Sequence, residues 1–130
     1  MQTAKVFAEC STADRLKVGA ICVDASGCQI ISIGYNGQPA GWDNACENID
    51  NTTKSTVIHA ESNCIAKLAK SSGGGNGAYL FITHSPCIEC AKLILQAGIK
   101  RVYYETEYRS LDGIDFLTKC GIEIVQVSCH

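Results

Sequence analysis

The amino-acid sequence predicts an α/β fold in which helices flank a mixed sheet of about five strands. Length is the first observation behind this prediction, because 130 residues with 46% hydrophobic content suffice for one compact domain, which we expect to span residues 1–130. The second is a short helical segment followed by two apolar segments with a turn between them. The third is an alternation of helix and strand patterns after residue 57, which is typical of crossover helices packed on a sheet.

The first half of the chain predicts a helix, a hairpin and a long loop. Residues 2–9 have the composition of a short helix. Residues 17–24 and 28–34 are apolar strand candidates, and the Ala-Ser-Gly segment between them predicts a hairpin turn. Residues 35–56 are rich in Asn, Gly, Asp and Thr and show no periodicity, and a loop of this length is usually functional. We expect it to form a wall of the site.

The second half predicts three helix and strand pairs. Residues 57–70 have the composition of a helix, and the glycine-rich residues 71–77 end it. This run lacks the Gly-Lys-Ser or Gly-Lys-Thr ending of a phosphate-binding loop and precedes a strand, so we interpret it as a flexible linker. The remaining predicted elements are a strand at 78–83, a helix from Pro86 to about 97, a strand at 99–105, a helix at 110–120 and a strand at 122–127.

Composition and charge exclude several kinds of partner. The chain has no apolar run long enough for a membrane span and no recognisable signal peptide, so we expect no membrane association and a cytoplasmic location. A formal net charge of −2 offers no basic surface for a polyanion, which favours a small-molecule substrate over nucleic acid. The nine cysteines are odd in number and several lie in apolar stretches, so we expect most to be reduced and buried.

Two short motifs carry the chemistry: His-Ala-Glu at residues 59–61 and Pro-Cys-Ile-Glu-Cys at residues 86–90. Cys87 and Cys90 are three apart in the first turn of a predicted helix, where exposed N–H groups lower the pKa of a thiol. His59 opens the preceding helix, and the intervening strand should bring both helix N-termini to one edge of the sheet. The pattern predicts one catalytic Zn²⁺ held by these three side chains, with water at the fourth position.

Glu61 is assigned a different task from the ligands. Residues two apart do not share a helix face, so Glu61 should point away from His59 and towards the substrate as a proton carrier. The combination H-x-E with P-C-x-x-C is the signature of zinc-dependent nucleobase deaminases. It predicts hydrolytic deamination of a cytosine ring, with Glu61 taking a proton from the attacking water and delivering protons to N3 and the departing amine.

Two alternatives exist for the C-x-x-C motif alone. A redox pair is consistent with cysteines that follow a strand and open a helix, but it leaves His59 and Glu61 unexplained. A structural zinc site requires a fourth protein ligand, for which Cys64 is the near candidate.

Nearly the whole chain resembles the deoxycytidylate (dCMP) deaminases of the cytidine/deoxycytidylate deaminase superfamily. The resemblance covers residues 11–20, the Gly-Tyr-Asn-Gly-Gln-Pro-Ala-Gly loop at 34–41, His-Ala-Glu at 59–61, Thr-His-Ser-Pro-Cys-Ile-Glu-Cys at 83–90, and residues 96–100 with 103–105. The zinc motifs identify the superfamily, whereas the Gly-Tyr-Asn-Gly loop points to the dCMP branch. The resemblance implies a three-layer cytidine-deaminase-like fold and hydrolysis of dCMP to dUMP and ammonia, which supplies thymidylate synthesis.

The resemblance also implies which residues contact the substrate. Asn36 would hydrogen-bond the sugar, the backbone at Ala60 and Ser85 would hold the pyrimidine edge, and an aromatic side chain, here Tyr108, would line the pocket.

The phosphate contact is implied for the segment from Ser11 to Arg15, which looks like the serine and arginine that meet the phosphate in some members. Charge-assisted contacts of this kind suit a phosphate monoester. A solvated surface arginine is the alternative for Arg15.

Regulation and assembly are implied by the resemblance alone. The family typically forms hexamers that dCTP activates and dTTP inhibits at subunit interfaces near the Asn-Gly loop. It therefore implies a homohexamer, effector contacts at Asn36, Gly37 and Gly41, and Mg²⁺ accompanying the bound triphosphate. Some relatives hold a second, structural zinc in a longer insert; here Cys46 is present but residues 47–58 contain no histidine, so we do not expect one.

Other functions compete with dCMP deamination. A related enzyme could act on free cytidine, cytosine, guanine or tRNA adenosine, but a tRNA substrate predicts a basic surface that the composition lacks. Free-nucleoside enzymes commonly carry a cysteine where His59 stands. A non-catalytic zinc scaffold is the rival from another class, and it predicts that Glu61→Gln changes nothing measurable.

Overall fold

The computed structural model describes residues 1–71 and 73–128. Within these ranges the chain forms four helices and five strands, and the predicted mixed five-stranded α/β fold is confirmed. The elements in chain order are α1 (Gln2–Ala8), β1 (Gly19–Val23), β2 (Ile30–Tyr35), α2 (Ala60–Ala69), β3 (Tyr79–His84), α3 (Ile88–Gln96), β4 (Arg101–Thr106), α4 (Asp112–Lys119) and β5 (Glu123–Gln126).

The sheet has the order β2-β1-β3-β4-β5. The β1 strand is antiparallel to both β2 and β3, whereas β3 with β4 and β4 with β5 are parallel. The parallel pairs are connected through α3 and α4, as parallel neighbours require. The carboxyl ends of β3 and β4 therefore lie at one edge of the sheet, beside the start of α3.

Helices lie on both faces of the sheet and give three layers. One face packs against α2, α3 and α4 around side chains that alternate along the strands, with Leu80, Ile82 and Val102 fully buried. The opposite face contacts α1, where Gly19 leaves room for the backbone of Ala4. None of the described helices has both the length and the apolar character that crossing a bilayer demands.

The two helices that carry the site, α2 and α3, begin later than the sequence pattern predicts. The second helix begins at Ala60 rather than 57, because Ile58 is engaged with Gly37 through backbone hydrogen bonds of 2.8 and 3.1 Å. The third begins at Ile88 rather than Pro86. As a result His59 and Cys87 are N-cap residues with extended backbone, outside the helical turn in which we expected them.

Candidate active site

The side chains of His59, Cys87 and Cys90 converge on one point. His59 Nδ1 lies 3.6 Å from Cys87 Sγ and 3.4 Å from Cys90 Sγ. Tetrahedral Zn²⁺ with its usual Zn–S and Zn–N bond lengths would place nitrogen and sulfur about 3.6 Å apart. The donor set and its spacing therefore fit a single zinc ion.

Two helix N-termini create this convergence. His59 caps α2 and Cys87 caps α3, and the Cys87 sulfur accepts a hydrogen bond from the Cys90 backbone N–H at 3.5 Å. Gly34 on β2 allows α2 to approach the sheet, because a Cβ at that position would overlap the Ala60 carbonyl oxygen. The exposed N–H groups at both helix starts favour negative charge where the sulfurs lie.

The two thiols share their charge unequally. Hydrogen bonds from Cys90 and His59 lower the pKa of Cys87 to about 3. The pKa of Cys90 moves in the opposite direction, because it donates to the Cys87 sulfur and is buried. The cluster thus holds one thiolate readily and a second only when a cation balances it, which is how a thiolate metal site behaves.

Glu61 is a buried carboxyl group beside the cluster. Its side chain is 5% exposed, and burial raises its pKa to about 7, opposed by hydrogen bonding to its own backbone and by the nearby His59. The carboxyl also interacts with the Cys90 thiol. A carboxyl group whose pKa lies near neutrality can both accept and release a proton at physiological pH.

The structure does not supply the fourth ligand that a structural zinc site requires. Cys64 is fully buried in the core, and burial raises the pKa of its thiol to about 11. Among residues 1–71 and 73–128, the metal-binding group contains His59, Cys87 and Cys90 and excludes Cys64. Nor does Cys46 belong to a second such group within these ranges.

A cavity of about 260 Å³ opens beside the cluster. His59, Glu61 and Cys87 line it together with segments from the loop before β1, the long loop after β2, and the ends of β3 and β4. The prediction that the long loop forms a wall of the site agrees with this arrangement. The cavity combines a metal-ligand cluster and a buried carboxyl group with enough space for part of a small organic substrate.

Five of the six residues expected to contact the substrate line this cavity, namely Arg15, Asn36, Ala60, Ser85 and Tyr108. Ser11 does not line it. Its hydroxyl group donates to the Asn36 carbonyl oxygen at 2.7 Å and accepts from the Ala13 N–H at 3.2 Å. Ser11 therefore lies behind the cavity wall and supports it.

The side-chain amide of Asn36 is largely committed to the protein. Its oxygen accepts from the Val18 N–H at 2.8 Å, and its nitrogen donates to the Leu16 carbonyl oxygen at 2.8 Å. One amide hydrogen and one oxygen lone pair remain for a ligand. Asn36 thus shapes the loop before β1 as well as facing the cavity.

Glu47 is a wall residue that the sequence patterns do not reveal. Its Oε1 accepts hydrogen bonds from the N–H groups of Asp14 at 2.9 Å and Arg15 at 3.1 Å. Arg15 also donates to Thr53 Oγ1 at 3.4 Å. The long loop therefore holds the backbone that presents Arg15, and the acceptor carboxylate lies more than thirty residues away in sequence.

His84 and Arg109 also line the cavity without having been predicted. His84 Nδ1 lies 2.9 Å from Thr83 Oγ1, and the Arg109 guanidinium stacks over the Tyr108 ring at 5.5 Å. The Tyr108 N–H donates to Ser85 Oγ at 2.8 Å, which ties the end of β4 to the end of β3. The family resemblance includes the Thr-His-Ser segment before Pro86, but it implies no role for the His84 imidazole.

The residues expected to contact an effector lie in the long loop outside the cavity lining, apart from Asn36. Gly37 pairs with Ile58 in an isolated bridge, and Gly41 has a φ of 84° in an exposed segment. Their role stays a prediction.

Comparisons with known proteins agree with the geometry. A family model described as the cytidine and deoxycytidylate deaminase zinc-binding region matches residues 1–106. "ComE operon protein 2" of Bacillus subtilis is 39% identical over 132 residues, covering 98% of this chain and 68% of its own length. Human deoxycytidylate deaminase is 39% identical over 114 residues, covering 82% of this chain and 62% of its own length. The chain thus spans about two thirds of the length of these relatives.

A solved structure matches almost end to end. The dCMP deaminase of cyanophage S-TIM5, crystallised in complex with dCMP and dUMP, superposes with a TM-score of 0.93 at 47% identity. The match covers 97% of this chain and 92% of the phage chain.

Proposed function

Because the chain belongs to the cytidine and deoxycytidylate deaminase family, we propose that it converts dCMP and water into dUMP and ammonia. Membership of this family indicates a hydrolytic deaminase. The proposal concerns which molecule it deaminates. The observation that carries the proposal is the buried Glu61 carboxyl group in one cavity with His59 and Cys87. The 47% identity to a phage enzyme crystallised with dCMP and dUMP supports a nucleotide substrate. The dUMP formed by this chain would supply thymidylate synthesis.

Zinc binding is assigned to His59, Cys87 and Cys90. Their spacing and donor types fit the ion, and two thiolates with a neutral imidazole balance its charge. When bound, Zn²⁺ supplies a water molecule of lowered pKa for attack on C4 of the cytosine ring.

Glu61 carries the protons of the reaction. Its carboxylate takes one proton from the attacking water and gives it to N3 of the ring. It then moves the remaining hydroxyl proton to the amine, the C4–N bond breaks, and ammonia leaves while C4 becomes a carbonyl. A pKa of about 7 suits both halves of this exchange, since the carboxyl group must gain and lose a proton in each turnover.

Substrate positioning is assigned to the cavity wall. The backbone at Ala60 and Ser85 would hold the pyrimidine edge, the remaining amide groups of Asn36 the sugar, and Tyr108 the ring. Arg15 would meet the 5′-phosphate, for which a guanidinium is well suited.

Ser11 is assigned a supporting role that differs from the phosphate contact implied by the resemblance. Its hydroxyl group is already engaged by Asn36 and Ala13 and does not line the cavity.

Regulation by nucleoside triphosphates is a further part of the proposal. We assign dCTP activation and dTTP inhibition, with Mg²⁺ on the triphosphate, to a homohexamer whose effector site includes Asn36, Gly37 and Gly41. Support comes from the family resemblance and from the exposure of the segment around Gly41. Sedimentation analysis should give a hexamer, and a hyperbolic rate curve that neither triphosphate alters would refute the regulation.

An ultraviolet assay across five substrates tests the main proposal. The zinc-loaded protein should deaminate dCMP in preference to CMP, deoxycytidine, cytosine and dCTP. The assay is repeated with dTTP, which should slow the reaction with dCMP. Preference for deoxycytidine or cytosine would transfer the function to a nucleoside or base deaminase. Absence of turnover with every substrate would favour a non-catalytic zinc-binding protein.

A further inference from the structure

His84 sits in a hydrogen-bonded chain that begins on the neighbouring strand. The Gly19 N–H of β1 donates to Thr83 Oγ1 at 3.2 Å, and Thr83 Oγ1 lies 2.9 Å from His84 Nδ1. Thr83 is 5% exposed, so its hydroxyl group has no ready access to solvent. Within the described ranges, the Gly19 N–H and His84 Nδ1 are the hydrogen-bond partners of the Thr83 hydroxyl oxygen.

These hydrogen bonds determine which nitrogen of the His84 imidazole carries the proton. The Thr83 oxygen already accepts from Gly19, and the hydroxyl proton must also find an acceptor, because a buried unpaired donor is costly. His84 Nδ1 is the acceptor available to it, so Nδ1 carries no proton and the neutral ring is protonated at Nε2. Burial also lowers the pKa of His84, against the opposing charge of Glu105, which favours the neutral ring.

The Nε2–H group is therefore a donor without a hydrogen-bond partner among residues 1–71 and 73–128, on a residue that lines the cavity. A neutral imidazole held in one tautomer offers a ligand one well-oriented hydrogen bond and no acceptor. A ligand oxygen is the group that this donor would recognise.

The charged side chains of the cavity wall indicate which ligand oxygen would accept the hydrogen bond from His84. Arg15 and Arg109 line the same cavity, and neither forms an ion pair with an acidic side chain in the described chain. Glu47 also lines it, but its Oε1 already accepts two backbone N–H groups. Two guanidinium groups that form no ion pair among the described residues and a neutral N–H donor suit an oxyanion, and the dianionic phosphate is the strongest acceptor in a nucleoside monophosphate.

We propose that His84, held by Thr83 in the Nε2–H tautomer, donates a hydrogen bond to a 5′-phosphate oxygen of the substrate and thereby favours nucleotides over nucleosides. This rests on the proposed function for the identity of the ligand, but the tautomer does not. His84 is a specificity-determining residue in this account, because its contact is with the part of the substrate that does not react.

Nitrogen NMR of the zinc-loaded protein tests the tautomer directly. The chain has three histidines, so long-range proton–nitrogen correlations of a ¹⁵N-labelled sample are readily assigned with the aid of His84→Gln. His84 should show a protonated Nε2 and a bare Nδ1. Thr83→Val keeps the branched shape but removes the hydroxyl group, and it should populate the other tautomer. A protonated Nδ1 in the unaltered protein would overturn the inference.

Substrate comparison tests the contact with phosphate. His84→Leu should lower the ratio of kcat/KM for dCMP to kcat/KM for deoxycytidine about tenfold, since a hydrogen bond to a charged group is lost. His84→Gln, whose amide can place a donor near the Nε2 position, should restore most of that ratio. Zinc content is measured in each variant, and equal losses on both substrates would refute phosphate recognition.

Product titration separates this inference from the proposed function. If the zinc-loaded protein deaminates neither substrate, the proposed function fails, and the ligand contact is decided by the His84 Nε2–H resonance. A shift of that resonance with dUMP but not with deoxyuridine supports the contact, whereas the same response to both overturns it.

Discussion

Arg15 is the residue whose interpretation changes most between sequence and structure. The sequence alone left a solvated surface arginine as an alternative, whereas the structure places Arg15 in the cavity wall with its backbone held by Glu47. The Arg15 side chain is exposed and donates to Thr53 Oγ1 at 3.4 Å, and a guanidinium at the rim of a cavity suits an anionic ligand.

Arg15→Ala should raise KM for dCMP by about tenfold or more, with a much smaller effect on deoxycytidine, because the lost contact is with phosphate. Steady-state kinetics on both substrates measure this. Lys17→Ala is the matched control, since Lys17 is an exposed cation on the same loop that does not line the cavity. Equal effects of Arg15→Ala on the two substrates would show that Arg15 does not contact the phosphate.

Cys90 provides a second test at the scale of single residues. Cys90→Ser should reduce bound zinc from about one ion per chain to a small fraction and abolish turnover, because a hydroxyl group is a poor ligand for this ion. Zinc is measured by elemental analysis after dialysis. Cys28→Ser changes an exposed cysteine outside the cluster and should retain the ion. Full zinc content in Cys90→Ser would remove that residue from the ligand set.

At the scale of elements, the site depends on where helices start and on how two loops are joined. The alternation of helices and strands in the sequence was enough to predict that His59 and Cys87 lie at one edge of the sheet. Crossover connections between parallel strands place the N-termini of their helices at that edge. The position of each residue as an N-cap was not predictable, since it depends on the bridge between Ile58 and Gly37. That bridge joins segments with no shared sequence pattern.

Glu47→Gln tests the connection between the loops. The amide is a weaker acceptor for the N–H groups of Asp14 and Arg15, so KM for dCMP should rise about threefold to tenfold while kcat changes little. Deoxycytidine kinetics provide the split that a merely structural loss would not produce. Glu123→Gln, an exposed carboxylate on β5, is the control. A uniform fall in kcat on both substrates would contradict a positioning role.

Gly34→Ala tests how closely α2 must approach β2. A methyl group there overlaps the Ala60 carbonyl oxygen and lies 2.7 Å from the Cys64 nitrogen, so the start of α2 must move. We expect the free energy of unfolding to fall by about 1–3 kcal/mol. Gly37→Ala, which meets open space, should cost much less. Urea denaturation of both variants measures the difference, and comparable stabilities would contradict this packing argument.

For the whole molecule, the alternation of helix and strand patterns predicted the mixed five-stranded sheet, the long unpatterned loop predicted a wall of the site, and the family resemblance implied the three layers. It did not predict the contacts that finish the site. Glu47 binds backbone N–H groups that carry no signature in sequence, and the His84 proton is placed through Thr83 by Gly19 of another strand. Such contacts exist only once the sheet and the long loop are assembled.

The zinc-loaded protein and its Glu61→Gln variant, compared for ammonia release from dCMP, test the central claim most directly. Glu89→Gln is the control, because this carboxylate lies between the two ligand cysteines but is 77% exposed. All three proteins should hold about one zinc ion, while only Glu61→Gln should lose activity, by at least about a hundredfold. Turnover by Glu61→Gln at the unaltered rate would contradict the assignment of Glu61 as the proton carrier.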